Sequence, residues 1–277
     1  MSLLVFAVVL AAALLHATWN AIVKAGGDKF LTTIMVTTAA AALAAALLPF
    51  LRAPAMPSWP FAAASALFQI IYFLLVARTY QIADMSQAYP LMRGTAPLIV
   101  ALVSVFRLGE ELSPTAWCGV IAICVGIFSI ALGSKLKDRK GLYLALLNAL
   151  VIAAYTLIDG IGVRRSGAPA AYTLWVFLLT GLPLALWALT ARRARFVPYL
   201  TRYWRQGIAG GIGTTASYGL ALWAMTLAPV AVVAALRETS ILFGTMIAGL
   251  VLKEPIGVRR VIAACIIAGG AALLRLA

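Results

Sequence analysis

RGTAPLIVALVSVFRLGEEL occupies residues 93–112, and RETSILFGTMIAGLVLKEPI occupies residues 237–256. Laid one above the other, the two stretches are offset by 144 residues. Arg93 falls on Arg237, Leu108 on Leu252 and Glu110 on Glu254, and the same offset carries Gly126 onto Gly270. Four matches at one offset, two of them between charged residues, are hard to obtain by chance in an apolar chain. The first segments pair as well, with Trp19 on Tyr155 at an offset of 136. The chain therefore reads as two related halves, residues 1–135 and 136–277.

The residues around these stretches set the solvent. Of the 277 residues, 64% are hydrophobic, against about 45–50% in soluble domains, and mean hydropathy is +1.02. Ten apolar segments have the roughly 20-residue length that spans a bilayer: 2–24, 31–51, 59–80, 84–106, 113–133, 141–162, 169–190, 206–227, 229–251 and 257–276. In lipid every backbone N–H and C=O must be bonded internally, and uninterrupted runs of this length do so as helices rather than as barrel strands. The expected fold is an all-α integral membrane protein of ten transmembrane helices. Five spans per half force the second half to insert upside down, so the halves form an inverted repeat. The break at Ala228-Pro229 is short enough to require a tight hairpin between spans eight and nine. The run from Ser2 continues past Trp19 without a basic leader, which marks a first span rather than a cleaved signal.

Several function classes are excluded. The formal charge of +14 comes from Lys and Arg in short loops, where the positive-inside rule places them, and no basic face is interleaved with aromatics as a nucleic-acid partner requires. Cys118, Cys124 and Cys265 lie inside apolar runs without metal-ligand spacing, so no metal and no other cofactor is expected. There is no phosphate loop for ATP, no zinc-protease helix motif and no nucleophile elbow, which argues against an enzyme.

Leu108-Gly109-Glu110-Glu111-Leu112, followed by Gly119 and Gly126, resembles the signature between the fourth and fifth spans of EamA-type proteins, in the drug/metabolite transporter superfamily. Leu252-Lys253-Glu254-Pro255 with Gly269-Gly270 is a weaker second copy, in which Lys253 replaces the motif glycine. Pro97 and the segment His16–Asn20 fit the same pattern. Within the family the likeness is to bacterial YddG-type amino-acid exporters. The resemblance implies transport across the bacterial inner membrane, and export as its direction.

Charged groups inside spans cost about 2.5–3.5 kcal/mol each at a helix centre, so they face a bundle interior or a wet cavity. Four lie there: Arg93, Asp159, Arg237 and Glu238. Helical spacing extends the set. His16, Trp19 and Asn20 share one face; Gln69, Tyr72 and Tyr80 another; Ser86, Tyr89 and Arg93 a third; Asn148, Tyr155 and Asp159 a fourth. The eighth span adds Tyr218 and Trp223. The expected substrate-binding residues are thus His16, Trp19, Asn20, Tyr72, Tyr89, Arg93, Tyr155, Asp159, Tyr218, Trp223 and Arg237. They would line a cavity between spans one, three, four, six, eight and nine. Glu238 stands about 100° round the helix from Arg237 and is expected to meet a neighbouring helix instead. Each position has a structural alternative: inter-helix pairing for the arginines, packing for His16, an interfacial belt for Tyr80 and Trp223. Glu110 and Glu254 sit at span ends, where a carboxylate caps a helix and fixes a loop.

These residues suit a zwitterion: Arg93 and Arg237 for a carboxylate, Asp159, Glu238 and Asn20 for an ammonium, aromatic rings for a side chain. The expected function is secondary transport of amino acids or similar small polar metabolites. Its partners would be the small-molecule substrate and membrane lipid. A drug, nucleotide-sugar or polyprenyl-lipid carrier is the alternative, and a non-transporting membrane partner or intramembrane enzyme a further one. Fifteen Lys and Arg flank the loops after spans one, three, five, seven and nine, against five on the other side, which puts both termini outside the cytoplasm. The family resemblance implies the opposite orientation.

Overall fold

The structure, a computed structural model, describes residues 1–82, 85–131, 139–250, 253 and 257–277. Every regular element among them is helical. The long helices are α1 (Leu3–Ala25), α2 (Lys29–Leu47), α3 (Trp59–Ile82), α4 (Met85–Leu108), α5 (Pro114–Ala131), α6 (Arg139–Ser166), α7 (Pro169–Ala191), α8 (Arg193–Met225), α9 (Val230–Arg237), α10 (Ser240–Leu250) and α11 (Val258–Leu276). Two single turns, Leu48–Phe50 and Met56–Ser58, join α2 to α3. Among the described residues, seven apolar helical stretches are long enough to cross a membrane: α1, α2 with its terminal turn, α3, α4, α6, α7 and the run Val230–Leu250. The described part of α5 is apolar but shorter. Glycines and hydroxyl residues lower the hydropathy of α8, and Arg259, Arg260 and Arg275 that of α11.

Two departures from the expected segments matter. The eighth helix starts at Arg193, well before residue 206, because the basic stretch after α7 is itself helical up to a kink at Tyr203 (φ −115°, ψ 17°). Phe196 anchors this stretch. It is fully buried against Leu31, Ile34, Met35 and Ala188, and the nearby Tyr199 hydroxyl meets Thr32 Oγ1 at 2.6 Å. The ninth span is two helices, α9 and α10, in one line of chain. At Glu238, Thr239 and Ile241 the backbone N–H groups bond three residues back instead of four, a tightening that marks hinges inside helices. The hairpin expected at Ala228-Pro229 is present, between the end of α8 and Val230.

Packing relies on small residues. α5 pairs with α11, α3 with α6, α1 with α8, α2 with α7, and α4 with α6 and α9. A Cβ on Gly126 would stand 2.8 Å from Ile267 Cγ1 and 3.1 Å from the Ala263 carbonyl. One on Gly270 would stand 2.8 Å from the Gly119 carbonyl. Only glycine permits that approach, which is how helices associate in lipid where no hydrophobic drive exists between them. Gly119 faces the Gly270 turn while Gly126 faces Ala263, so α5 and α11 run antiparallel. The guanidinium of Arg275 donates to the Met1 carbonyl at 2.9 Å, which puts the two termini at one end of the bundle.

Candidate functional site

Four side chains that sequence alone marks as misplaced in lipid converge. Arg93 (6% exposed) on α4 forms an ion pair with Glu238 (5% exposed), Nε to Oε2 at 2.8 Å. Glu238 is at the α9–α10 hinge, and the tightened turn lets it follow Arg237 while pointing to α4. Arg237 (9% exposed) lays its guanidinium over the Tyr218 ring on α8, 5.0 Å from the centroid. The Tyr218 hydroxyl in turn donates to Asp159 Oδ2. Asp159 is fully buried and also accepts from Ser65 Oγ at 2.7 Å and from the Tyr172 hydroxyl at 2.9 Å. Three hydroxyl donors from α3, α7 and α8 therefore hold one carboxylate of α6, the pattern expected of an ionised acceptor.

Arg93, Arg237 and Glu238 border a hollow of about 10 Å³ with Pro97, Tyr155 and Thr156. That is room for about one water molecule. Pro97 has no N–H to give to the Arg93 carbonyl four residues back, so the α4 ladder is interrupted beside the hollow. A wider hollow of about 400 Å³ lies elsewhere, lined by apolar residues such as Leu48, Leu51, Trp175 and Leu178 without an ionisable group. Chemistry, not volume, singles out the first.

The expected residues divide into groups. Arg93, Tyr155 and Arg237 border the hollow. Tyr218 and Asp159 stand one contact further out, behind Arg237. Tyr72 of α3 meets the Tyr155 ring edge-on with centroids 6.0 Å apart. Tyr89 is within electrostatic reach of Arg93 and Glu238, and His16 of both arginines. His16, Trp19 and Asn20 bond among themselves: Trp19 Nε1 donates to His16 Nδ1 at 3.3 Å, and Asn20 Nδ2 to the His16 carbonyl at 2.7 Å. Trp223 is half-buried and packs against the apolar core. The hollow is thus narrower than expected, framed by α4, α6 and α9 rather than by six spans. Ser65 and Tyr172 escape sequence reasoning, because a hydroxyl on an apolar helix carries no sign of the carboxylate it meets. The side chains of Tyr80 and Ser86 fall outside the described residues.

At the end of the bundle that holds the termini, Glu110 receives the N–H of Val230 at 2.9 Å and of Ala231 at 3.4 Å, capping α9. Arg164 of α6 binds the same carboxylate at 2.8 Å and the carbonyls of Met225 and Ala228 at 2.7 and 2.9 Å. Gly109 takes a positive φ of 65°, the left-handed turn that glycine adopts without strain, and this aims Glu110 at the second half. The capping role expected of Glu110 is met on α9. Leu252, Glu254 and Pro255 of the second copy lie outside the described residues.

The comparisons agree with this architecture. The model of the EamA-like transporter family matches residues 3–132 and again residues 139–276. A crystal structure of a protein at 21% identity superposes with a TM-score of 0.78, over 100% of this chain and 98% of that one, a likeness of fold. Its multi-pass helical fold and its double match over nearly the whole length show that the chain belongs to the EamA-like transporter family.

Proposed function

We propose that this protein is a secondary transporter of amino acids or similar small polar metabolites in the bacterial inner membrane, working as an exporter by alternating access between two inverted halves. The observation that carries it is the buried cluster of Arg93, Glu238 and Arg237 around a hollow at a helix hinge. Ionisable groups kept inside spans are costly and mark substrate pathways, and broken helices border substrate sites in transporters of this general design.

The inverted arrangement has its own support. Number the spans one to ten, with α9 and α10 together as the ninth and α11 as the tenth. Exchanging each span with the one five places on turns the α3–α6 contact into α8–α1, and leaves α5–α11 and α2–α7 unchanged. The offset of 144 likewise turns Gly119 facing Gly270 into Ala263 facing Gly126. Antiparallel packing of two related helices in this register is what a two-fold axis in the membrane plane would produce.

Counterflow in proteoliposomes against a panel of amino acids, sugars and organic cations tests the reading. Saturable exchange of amino acids is the expected result. Exchange of only sugars or cations would overturn the substrate class, and no exchange of any solute would overturn the transport assignment.

A further inference from the structure

The basic stretch between α7 and the kink of α8 has no part in the cluster of Arg93, Arg237 and Glu238. After the kink at Tyr203, Trp204–Met225 is by itself long enough for a span of roughly 20 residues, so the turns before it extend past the bundle end. They are amphipathic. Phe196, Tyr199, Leu200 and Tyr203 recur at i, i+3, i+4 and i+7 and form the inner face, packed with Leu31, Ile34, Met35 and Ala188. The Tyr199 hydroxyl also accepts the Asp28 N–H at 3.3 Å, which fastens this face to the α1–α2 turn. Arg195 and Arg202, seven residues apart, share one flank of the outer face, with Arg192, Arg193 and Arg205 toward its two ends, and all five are exposed. Among the described residues none of the five forms an ion pair. The acid beside the stretch, Asp28, turns its carboxylate to the N–H groups of Phe30 and Leu31, both at 3.0 Å, and caps α2.

Aromatic rings take the faces of three of these guanidinium groups. Arg192 lies over Trp187, Arg202 over Tyr203 and Arg205 over Trp204, at 5.9, 5.5 and 5.4 Å from the ring centroids. A guanidinium stacked by its face keeps its N–H donors in the plane, where they can grip a phosphate. On the bundle side of the kink, Trp204, Ile208 and Ile212 follow one another every four residues, and all three are exposed. That spacing is one helix face, so an apolar stripe begins beside Arg205 and runs along the outside of the α8 span.

We infer that Arg202 and Arg205 bind the phosphodiester headgroup of an anionic phospholipid, with an acyl chain lying on the Trp204–Ile208–Ile212 stripe. Arg192, Arg193 and Arg195 supply the positive field around it. Two features select this ligand. The site joins guanidinium groups to an exposed aliphatic stripe, and a soluble phosphate would use only the first. Its positive charge has no carboxylate to balance it, so a headgroup with net negative charge fits, whereas a zwitterionic headgroup would bring an ammonium to the arginines. The site does not depend on which solute the protein carries.

The test is tryptophan quenching of the full-length protein in phosphatidylcholine nanodiscs. A minor fraction of the lipid is brominated in the upper acyl chain, and the bromine is carried either by phosphatidylglycerol or by phosphatidylcholine. The difference between the native protein and Trp204→Phe isolates the Trp204 signal. Brominated phosphatidylglycerol should quench Trp204 about fivefold more effectively than brominated phosphatidylcholine at equal fraction, the gain from one well-placed basic contact. In Arg202→Gln/Arg205→Gln the ratio should fall close to one. Both side chains are exposed and unpaired, so the fold does not depend on them. Arg259→Gln/Arg260→Gln removes the same charge from two exposed positions in the first turn of α11 and should keep the native ratio. A ratio of one in the native protein, or one unchanged in Arg202→Gln/Arg205→Gln, would overturn the site. An equal fall in Arg259→Gln/Arg260→Gln would also overturn it, since diffuse charge would then suffice. Sodium phosphate that displaces the brominated phosphatidylglycerol, where sodium chloride at equal ionic strength does not, would assign the arginines to a soluble anion and overturn the lipid.

Discussion

At the scale of single residues, the Arg93–Glu238 pair and the Asp159 hub pose different energetic problems. A buried ion pair gains little over an apolar substitute, yet breaking it from one side strands a charge. Arg93→Gln or Glu238→Gln alone should each cost about 3–5 kcal/mol, and the double variant distinctly less than their sum. Unfolding titrations in mixed micelles form that double-mutant cycle; additive losses would mean that the two groups do not depend on each other. Lys253 offers a test of backbone strain. It adopts φ 52°, where its counterpart 144 residues earlier, Gly109, adopts φ 65°. The left-handed region costs an L-residue roughly 1–2 kcal/mol, so the conformation has persisted at this position without the residue that suits it. Lys253→Gly should raise stability by about 1 kcal/mol, and Gly109→Ala should lower it by a similar amount. A Lys253→Gly protein no more stable than the native one would show that the turn carries no such strain.

At the scale of helices, Glu110 and Arg164 tie four chain segments at one end of the bundle: the α4–α5 turn, the end of α6, the end of α8 and the start of α9. Arg164→Ala removes three hydrogen bonds at once. A cysteine placed at Ala231, which is fully buried, should then react with a membrane-impermeant maleimide several-fold faster than in the native background. Labelling that stays at the native rate would mean the cluster is not what closes this end. The same comparison shows what the sequence makes legible. Ten apolar runs are visible because lipid demands length and apolarity from each span independently of its neighbours. The charged set is visible for the same reason, since Arg93, Asp159, Arg237 and Glu238 violate that demand. What each charge meets is not visible, because helical spacing defines a face and not the helix opposite it. Glu238 does reach a neighbouring helix, through Arg93, but it also borders the same hollow as Arg237, against expectation. The three-residue bonds between α9 and α10 bring these adjacent side chains to one cavity, and the partner Arg93 stays hidden. The hinge at Glu238–Thr239 is hidden too, since a switch to three-residue bonds needs no glycine or proline. The start of α8 is misread as loop because its Arg residues resemble a cytoplasmic connection, while Phe196 and Tyr199, which hold it helical, resemble an aromatic belt.

At the scale of the whole molecule, the inverted halves proposed above would be close to neutral about which way round they insert, so the surplus of positive charge would decide. The sequence count assigns fifteen Lys and Arg to one side and five to the other, and the bond from Arg275 to the Met1 carbonyl brings both termini to one end. Five of the fifteen, Arg192, Arg193, Arg195, Arg202 and Arg205, lie in or beside the helical stretch before the Tyr203 kink. There Arg202 sits over Tyr203, and Arg205 over Trp204, at 5.5 and 5.4 Å from the ring centroids. Aromatic rings with guanidinium groups beside them suit the surface of an anionic leaflet, where each basic residue near the surface gains about 1 kcal/mol. Arg164 and Glu110, by contrast, spend their charges on each other at the opposite end, so its effective positive charge is smaller than a bare count suggests. Both effects favour the basic end in the cytoplasm and the termini outside it. A phosphatase fused after Ala277 should therefore be active in the periplasm, and a fluorescent protein fused there should stay dark. Replacing all five arginines of the α8 stretch with glutamine lowers the basic end from fifteen charges to ten and should yield a mixed population of both orientations. A bright cytoplasmic fluorophore on the native chain would reverse the assignment, and would mean that position near the chain start outweighs the charge of the α8 stretch.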